Sequence, residues 1–355
     1  MPALRSNLQR ALLVASLCLT GCATTNVNDN PVDVELEPLV LSANGQKVES
    51  FQARPLFKQA TQEYSVGHYE KALKLFRKVI KHFPETKYAN HAYFNAGLAA
   101  MRLERWEEAL DLQRRARRAL AGGRDEWDAL LQVSRCLEEL ARWGNLVEVA
   151  DELLKKGKLN PTDRVEAWAR LGIARYETGR LALAERAFKK VLHLYKEVPR
   201  LEKNPYVSRS QYLVGEIYRG LFASIRFRLP VETMKRDLAD KSSFFLKGQS
   251  AYLRCVRLQH KDWAVAAGYR LGRLYEDFYD DMMAAEVPPE LDEEDRKVYF
   301  DELKRLIRPL VVRAVEIYER NLGMSDRLGV GGEWAKKTQA SLDKMRDILR
   351  REFAQ

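Results

Sequence analysis

The chain has 355 residues, with 60 basic and 50 acidic side chains for a formal net charge of +10; 31% of its residues are charged and 46% hydrophobic. Ala, Leu, Arg, Glu and Lys dominate and period-two alternation is scarce, which argues for helices. No apolar run approaches the roughly 20 residues that cross a bilayer as a helix, so a helical membrane bundle is excluded.

The chain opens on a targeting pattern. Arg5 and Arg10 supply positive charge, Ala11–Leu17 is apolar, and Leu19-Thr20-Gly21-Cys22 follows. Features in this order resemble the signal and lipobox of bacterial lipoproteins. The resemblance implies a signal peptide over 1–21, cleavage before Cys22 and acylation of its sulfur. Ala23 in the next place implies the outer membrane of a two-membrane bacterium rather than the inner one. Each buried methylene of an acyl chain contributes about 0.8 kcal/mol, so several chains make an anchor that is effectively permanent. Residues 22–52 then read as a lipidated, flexible tether. Asn, Thr and Pro come early, Asp29, Asp33, Glu35 and Glu37 follow, and there is no helical stripe. Such a segment spans on the order of 30 Å by square-root scaling. Within it, Val34–Leu41 has the composition to add a strand to a partner.

From Ala53 onward, pairs of short amphipathic helices recur. In each pair a small residue in helix A and another in helix B stand where the two backbones come close, and a large side chain fills the space beside them. The first pair has Ala60 and Ala72 as the small residues, Gly67 in the turn, Tyr69 and Phe76 as the large ones, and Pro84 as its stop. The second begins near Asn90, with Tyr93, Gly97, Trp106 and Ala109. A divergent third has Cys136–Leu137 near the small site, a Gly144-Asn145 turn and Val149. The fourth, Trp168–Leu192, is the clearest: Trp168, Leu171, Gly172 and Tyr176 share one face, Gly179 turns the chain, and Leu181, Ala184, Phe188 and Val191 share the next. A fifth shows Val214, Gly215 and Tyr218, with its helix B delayed to about Leu246–Leu258 and Ala251 at the small site. The sixth shows Leu271, Gly272 and Tyr275, with helix B at Leu310–Asn321 and Ala314 and Tyr318 at its small and large sites. Trp334–Phe353 has no partner after it and reads as a cap.

The small residues of helix A (Ala60, Gly97, Leu137, Gly172, Gly215, Gly272) are spaced 37, 40, 35, 43 and 57 apart, so the last units must hold insertions, about Phe222–Phe245 and Asp280–Arg308. This alternation resembles the tetratricopeptide repeat (TPR), a 34-residue helix–turn–helix unit. One such pair cannot bury its own apolar face, so neighbours must stack on it. The expected fold is therefore all-α: a TPR α-solenoid, a right-handed superhelix of antiparallel helix pairs. Residues 53–200 would hold repeats 1–4, and 201–355 the divergent repeats 5–6 with the cap.

Cleavage before Cys22 removes Arg5 and Arg10 and no acid, leaving 58 basic against 50 acidic side chains, a net of +8. The excess is local, in Arg114, Arg115, Arg117, Arg118 and Arg124. This basic patch is either a solvated helix surface or a contact for anionic headgroups, acidic cell-wall polymer or an acidic protein face. No nucleic-acid motif occurs. Cys136 and Cys255, a full repeat apart, read as two buried small hydrophobes rather than a bridge. The histidines (His68, His82, His91, His193, His260) form no His-Glu-x-x-His, and the cysteines no paired metal spacing. Gly329-Val330-Gly331-Gly332 lacks the Lys-Ser/Thr of a phosphate loop. Glu290–Asp295 lacks calcium-ligand spacing and reads as negative charge at a helix start after Pro288-Pro289. The expectation is a non-enzyme with no cofactor and no metal.

What remains is a surface. In TPR arrays, helix A lines a concave groove. By the resemblance, the groove here carries Phe57, Tyr64, Phe94, Met101, Arg102, Tyr176, Glu177, Tyr212, Glu216, Arg219, Tyr269 and Arg273, an aromatic and charged mixture enriched at protein interfaces. The Lys and Asn clamp by which TPR cochaperones grip a C-terminal carboxylate is missing; the corresponding pairs are Phe57/Thr61, Phe94/Leu98, Ala169/Ile173, Tyr212/Glu216 and Tyr269/Arg273. With Phe83-Pro84-Glu85-Thr86-Lys87-Tyr88 between the first repeats, the chain resembles outer-membrane TPR lipoproteins: accessory subunits of β-barrel assembly, cell-division coordinators, pilus-secretin pilotins and, more distantly, gliding-motility lipoproteins. The resemblance implies a scaffold that faces the periplasm, is held to the membrane by its N-terminal lipid, and holds an envelope protein in its groove. The alternative is a module that binds cell-wall polymer through Arg114–Arg124.

Overall fold

The computed structural model describes residues 39–44, 47–157, 159–198, 201 and 204–353, all within one compact unit that starts at Leu39. The signal segment, Cys22 and the tether as far as residue 38 lie outside the described residues. The last part of the stretch expected to be tether, up to residue 52, is a hairpin among the described residues. β1 (Leu39–Asn44) pairs antiparallel with β2 (Lys47–Gln52), Leu39 opposite Gln52 and Asn44 opposite Lys47. Of the stretch Val34–Leu41, expected to add a strand to a partner, the described residues Leu39–Leu41 pair with Ser50–Gln52 of the chain itself.

Thirteen helices follow among the described residues, twelve of them in antiparallel pairs: α1 (Ala53–Ser65) with α2 (Tyr69–His82), α3 (Lys87–Arg102) with α4 (Trp106–Ala119), α5 (Asp125–Glu139) with α6 (Trp143–Lys156), α7 (Pro161–Glu177) with α8 (Leu181–Glu197), α9 (Pro205–Ser224) with α10 (Val231–Arg257), and α11 (Lys261–Met283) with α12 (Glu293–Leu328). α13 (Glu333–Phe353) covers the last pair, where the sequence placed a cap. Each second helix packs on its own partner and on the first helix of the next pair, which is the stacking that gives a solenoid its continuous core. The helix starts are chemically marked: Asn160 and Asn204 each accept a backbone N–H ahead of Pro161 and Pro205, and Asp292 accepts from Asp295 ahead of an acidic first turn.

The turns within the first four pairs repeat bond for bond. Gly67 N–H donates to the Tyr64 carbonyl and His68 N–H to that of Glu63; Glu104 and Arg105, Ala141 and Arg142, and Gly179 and Arg180 make the same two bonds. The first residue of each turn pair is left-handed, with φ of 87°, 58°, 51° and 72° at Gly67, Glu104, Ala141 and Gly179. Glycine adopts that conformation freely; Glu104 and Ala141 are held there by the same two bonds.

This recurrence corrects the third repeat. Its turn is at Ala141, and Gly144-Asn145 lie inside the first turn of α6. Counting back as in the other pairs makes Ser134, not Leu137, the small residue of helix A, and Leu146, not Val149, its counterpart in helix B. The spacing from Ala60 to Gly172 becomes 37, 37 and 38. The signature was hidden because Ser134 is neither Gly nor Ala. It is buried, with its hydroxyl satisfied by the Leu131 carbonyl at 2.6 Å.

At three of the other crossings, glycine is required by close approach to a ring. A Cβ on Gly172 would overlap the Phe188 ring, one on Gly215 the Tyr252 ring, and one on Gly272 the Tyr318 ring. Tyr252 over Gly215 also resets the fifth pair, whose small residue in helix B is Gly248, four residues earlier, and not Ala251. The insertions add no separate element. They lengthen both hairpins, giving helices of 20 and 27 residues in the fifth pair and 23 and 36 in the sixth; at 1.5 Å per residue α12 is about 54 Å long. Fully buried Lys241 fixes the longer part of α10. Its ammonium donates to the carbonyls of Phe222 and Ile225 at 2.8 and 2.9 Å and pairs with Asp281 at 2.7 Å. A cation thus closes the C-terminal end of α9, where carbonyls are otherwise unpaired.

Replacing Gly172 by Val is expected to cost about 1–3 kcal/mol through overpacking, read as a lower urea midpoint. Gly144→Ala, with open space around its Cβ, is expected to raise stability by about 0.5 kcal/mol. Equal midpoints for wild type and Gly172→Val would contradict the crossing.

Candidate functional site

The first helices α1, α3, α5, α7, α9 and α11 each touch the next first helix, and α11 touches α13, whereas the second helices pack on first helices rather than on one another. The first-helix row is therefore the inner, shorter arc, and the expected groove residues lie on it. The structure divides them in two.

On α1 and α3 the surface stays open. Phe57, Tyr64, Phe94 and Met101 are half-buried and Arg102 is exposed. Phe57 meets Phe76 edge-on at 5.6 Å and lies 5.8 Å from Tyr88, while Tyr64 stands against Tyr69 at 5.3 Å. A hydrogen bond to Tyr64 raises the pKa of the Arg102 guanidinium above its ordinary value, which ties the two into one patch.

From α5 onward the inner face is closed by charge. Arg135 grips Glu166 through two nitrogens at 2.6 and 2.8 Å. Arg170, 3% exposed, donates to Glu138 at 2.9 Å, to the Tyr206 hydroxyl at 2.5 Å and to Glu166. Arg209 reaches Glu138 at 2.5 Å. The ladder continues where Glu216 accepts from the Tyr252 hydroxyl at 2.5 Å, Arg270 at 3.1 Å and Arg219 at 3.2 Å. It ends where Glu276 holds the Tyr318 hydroxyl at 2.7 Å, Lys344 of α13 at 3.0 Å and Arg273 at 3.1 Å. Fork-shaped guanidinium–carboxylate pairing of this kind is strong and directional. Burial alone would raise the pKa of Glu166; hydrogen bonds from Arg135 and the charge of Arg170 overcome it and hold this carboxyl below the usual range.

Three expected groove residues are thus corrected. Tyr212, Glu216 and Tyr269 are only 7%, 7% and 9% exposed and are not free surface. Tyr212 packs between Tyr252 and Trp263 at 6.0 and 5.2 Å, with burial pushing its phenol up to about 12. Tyr269 lies against Tyr318 and, at 5.6 Å, against Trp334 of the cap helix. In each case the next first helix, or the cap, covers a position the repeat pattern leaves open. Arg219 and Arg273 are half-buried and committed to the ladder; Tyr176 is half-buried and Glu177 exposed. Arg135, Glu138, Glu166, Arg170 and Arg209 went unnoticed in the sequence. Their signal was present: charges of opposite sign at about one-repeat spacing on the faces of otherwise apolar helices.

The arginine cluster lies on the outer side, on and after α4. Arg115 pairs with Asp111 at 2.9 Å, and Arg117 with Glu152 at 2.7 Å and Glu126 at 3.8 Å. Arg114 and Arg118 are exposed, without an ion pair among the described residues. Cys136 and Cys255 are both buried free thiols, pushed up to about 12 by burial. No grouping of His, Cys, Asp and Glu that could hold a metal ion occurs among the described residues, and none of their helices is long and apolar enough to cross a membrane.

Recurring turns and glycine–ring crossings define an α-solenoid of tetratricopeptide-type hairpins. Residues 57–138 match the tetratricopeptide repeat family. Among solved structures, the chain is similar to the C-terminal part of a TPR repeat-containing protein of Cytophaga hutchinsonii (10% identity, TM-score 0.46, covering 82% of this chain and 95% of that one). It is also similar to YrrB, a TPR protein with an unusual peptide-binding site (21%, 0.40, 56% and 86%), and to PilF of Pseudomonas aeruginosa (16%, 0.37, 63% and 92%). No curated protein matches the chain.

Arg170→Met is expected to cost about 3–5 kcal/mol, because Glu138 and Glu166 lose a buried partner. Since the folded pKa of Glu166 is depressed, its contribution is present above the usual carboxylate pKa of about 4.3 and is lost as pH falls through the folded value. Urea melts across that acid range should show a shallower loss of stability in Glu166→Gln; an unchanged slope would remove Glu166 from the ladder's acid sensitivity.

Proposed function

We propose that the chain is a non-catalytic protein-binding scaffold, held by lipid on Cys22 in the outer membrane of a two-membrane bacterium and facing the periplasm. There it recruits a protein of a cell-envelope machine for assembly, secretion, pilus biogenesis or gliding. One observation carries the location of its binding surface: over the first two hairpins the inner face keeps a run of half-buried aromatic and Met side chains that is not crossed by the ion-pair ladder. There Phe57, Tyr64, Phe94 and Met101 are half-buried and Arg102 is exposed, while farther along most of the inner-face carboxylates and guanidiniums are committed to each other. Half-exposed aromatics beside an exposed Arg are the groups that anchor protein interfaces. The later repeats then act as a stiff stem that positions this surface, and the lipid anchor sets the membrane it faces.

A photo-crosslinking side chain at Phe94 should trap a single partner in intact envelopes, and Met101→Ala with Arg102→Glu should reduce that product at least tenfold, about 1.4 kcal/mol. Cys22→Ser should release the protein from membranes without detergent. An unchanged crosslink would sink the inner-face reading, and a Cys22→Ser form that still needs detergent would sink the anchor. Cell-wall binding predicts a different outcome: co-sedimentation with purified wall polymer that is lost in Arg114→Glu with Arg118→Glu and fades steeply with salt.

A further inference from the structure

On the outer side of α9 the flanking second helices stand apart. α8 and α10 both pack on α9 rather than on each other, and between them lies a cleft of about 1010 Å³. Val214 and Gln211 of α9 form its floor, both buried; Leu192 of α8 and Leu246 of α10 form its walls. Leu246 is 59% exposed, an unusual state for a leucine beside an apolar hollow, and Leu238 and Leu253 continue an exposed stripe along α10.

The rim is basic, and one of its two acids is already engaged. Glu185 pairs with Lys189 at 2.7 Å and accepts from the Tyr218 hydroxyl at 2.5 Å; Glu197 faces His193 at 3.3 Å. Lys196, Arg254 and Arg257 carry no ion pair among the described residues, and Lys247 lies 5.6 Å from both the Tyr218 and Phe244 rings. An apolar floor under a surplus of unpaired cations suits an apolar guest flanked by carboxylates.

Two features narrow the guest's form. All three bounding elements are helices, whose backbone groups are satisfied internally, so the cleft offers no ladder to an extended peptide; a guest must satisfy its own backbone. The floor also lies below the rim, where a flat bilayer cannot reach it. We infer that the cleft between α8 and α10 docks an acidic amphipathic helix of a partner protein, its leucine-type side chains on Leu192, Val214 and Leu246 and its carboxylates on Lys196, Lys247, Arg254 and Arg257. This surface is on the opposite side of the solenoid from the inner-face patch and does not depend on it.

The probe is a synthetic helix of about 18 residues with apolar residues at i, i+3, i+4 and i+7 and Glu along both flanks; its counterpart carries Lys for Glu. The purified full chain is titrated with each by fluorescence anisotropy. The acidic helix should bind saturably and the Lys form should not. Leu246→Asp, and separately Lys247→Glu with Arg254→Glu, should each weaken binding at least tenfold, with unchanged thermal melts because these side chains are at the surface. Arg114→Glu, outside the cleft, should bind as wild type. Equal affinity in all variants would overturn the proposal. So would a failure of the acidic helix to bind while Leu246-dependent binding to phosphatidylglycerol vesicles occurs, which would make the cleft a membrane contact. Concentration-dependent dimerisation abolished by Leu246→Asp, with no peptide binding, would assign it to a second copy and equally overturn it.

Discussion

A ring seated on a helix backbone that has no Cβ beneath it sets the distance between paired helices at Gly172, Gly215 and Gly272. Phe188, Tyr252 and Tyr318 are fully buried there, so each hairpin gains the apolar area of a large side chain and a close backbone approach at once. Each crossing also fixes where the second helix meets the next first helix. The second hairpin departs from this. Gln113 replaces the ring over Gly97 and donates to the Phe94 carbonyl at 3.0 Å, leaving its own Oε1 buried without a partner. A polar side chain at that crossing is a weaker filler, and it supports the very helix that carries Phe94 and Met101 on its open face.

The inner arc is divided by charge. Ion pairs removed from water give little net stability over apolar packing, but breaking one is costly. The clusters of them between Arg135 and Lys344 therefore tie each later first helix to its neighbours, and losing any one partner would leave a buried charge unpaired. They also consume the functional groups a ligand would need. A partner competing for Glu216 or Arg170 would have to displace neighbours already in good geometry, whereas Arg102 has no such commitment beyond Tyr64. Rigidity in one half and availability in the other follow from the same set of carboxylates.

The hairpins whose crossings use Gly or Ala under a ring were legible in the sequence, because that contrast is visible in one dimension. The third hairpin was not, since Ser134 hides its smallness behind a hydroxyl satisfied locally, and the register slipped by three residues. In the sixth pair Tyr318 could be placed correctly across a long insertion because it is a large residue four beyond a small one; in the fifth, two small residues, Gly248 and Ala251, competed, and only the contact with Gly215 decides between them. The groove was half legible for a related reason. Repeat position tells which way a side chain points from its own helix, but not how much the next helix covers it, and the lengthened α11 and the cap α13 cover Tyr212 and Tyr269.

Pairing carboxylates on the inside has a consequence for the outside. Glu138, Glu166, Glu216, Glu276 and Asp277 are spent on inner-face guanidiniums and on Lys344, so they do not offset the charges of the outer helices. The basic excess that remains beyond the signal segment, a net of +8 from 58 basic and 50 acidic side chains, is then felt where the second helices face solvent, at Arg114 and Arg118 and again at Lys196, Arg254 and Arg257. At physiological salt, fields decay over about 8 Å, so these two regions act as separate local attractors rather than one diffuse field. Both have a hollow beneath their cations. The first, about 530 Å³ and floored by Leu130 and Val133, is also lined by Glu126, Glu148 and Glu152, whereas the second is larger, about 1010 Å³, and more apolar. A small anion or a polymer could satisfy the first by charge alone, while the second needs a guest with carboxylates and apolar side chains on adjoining faces.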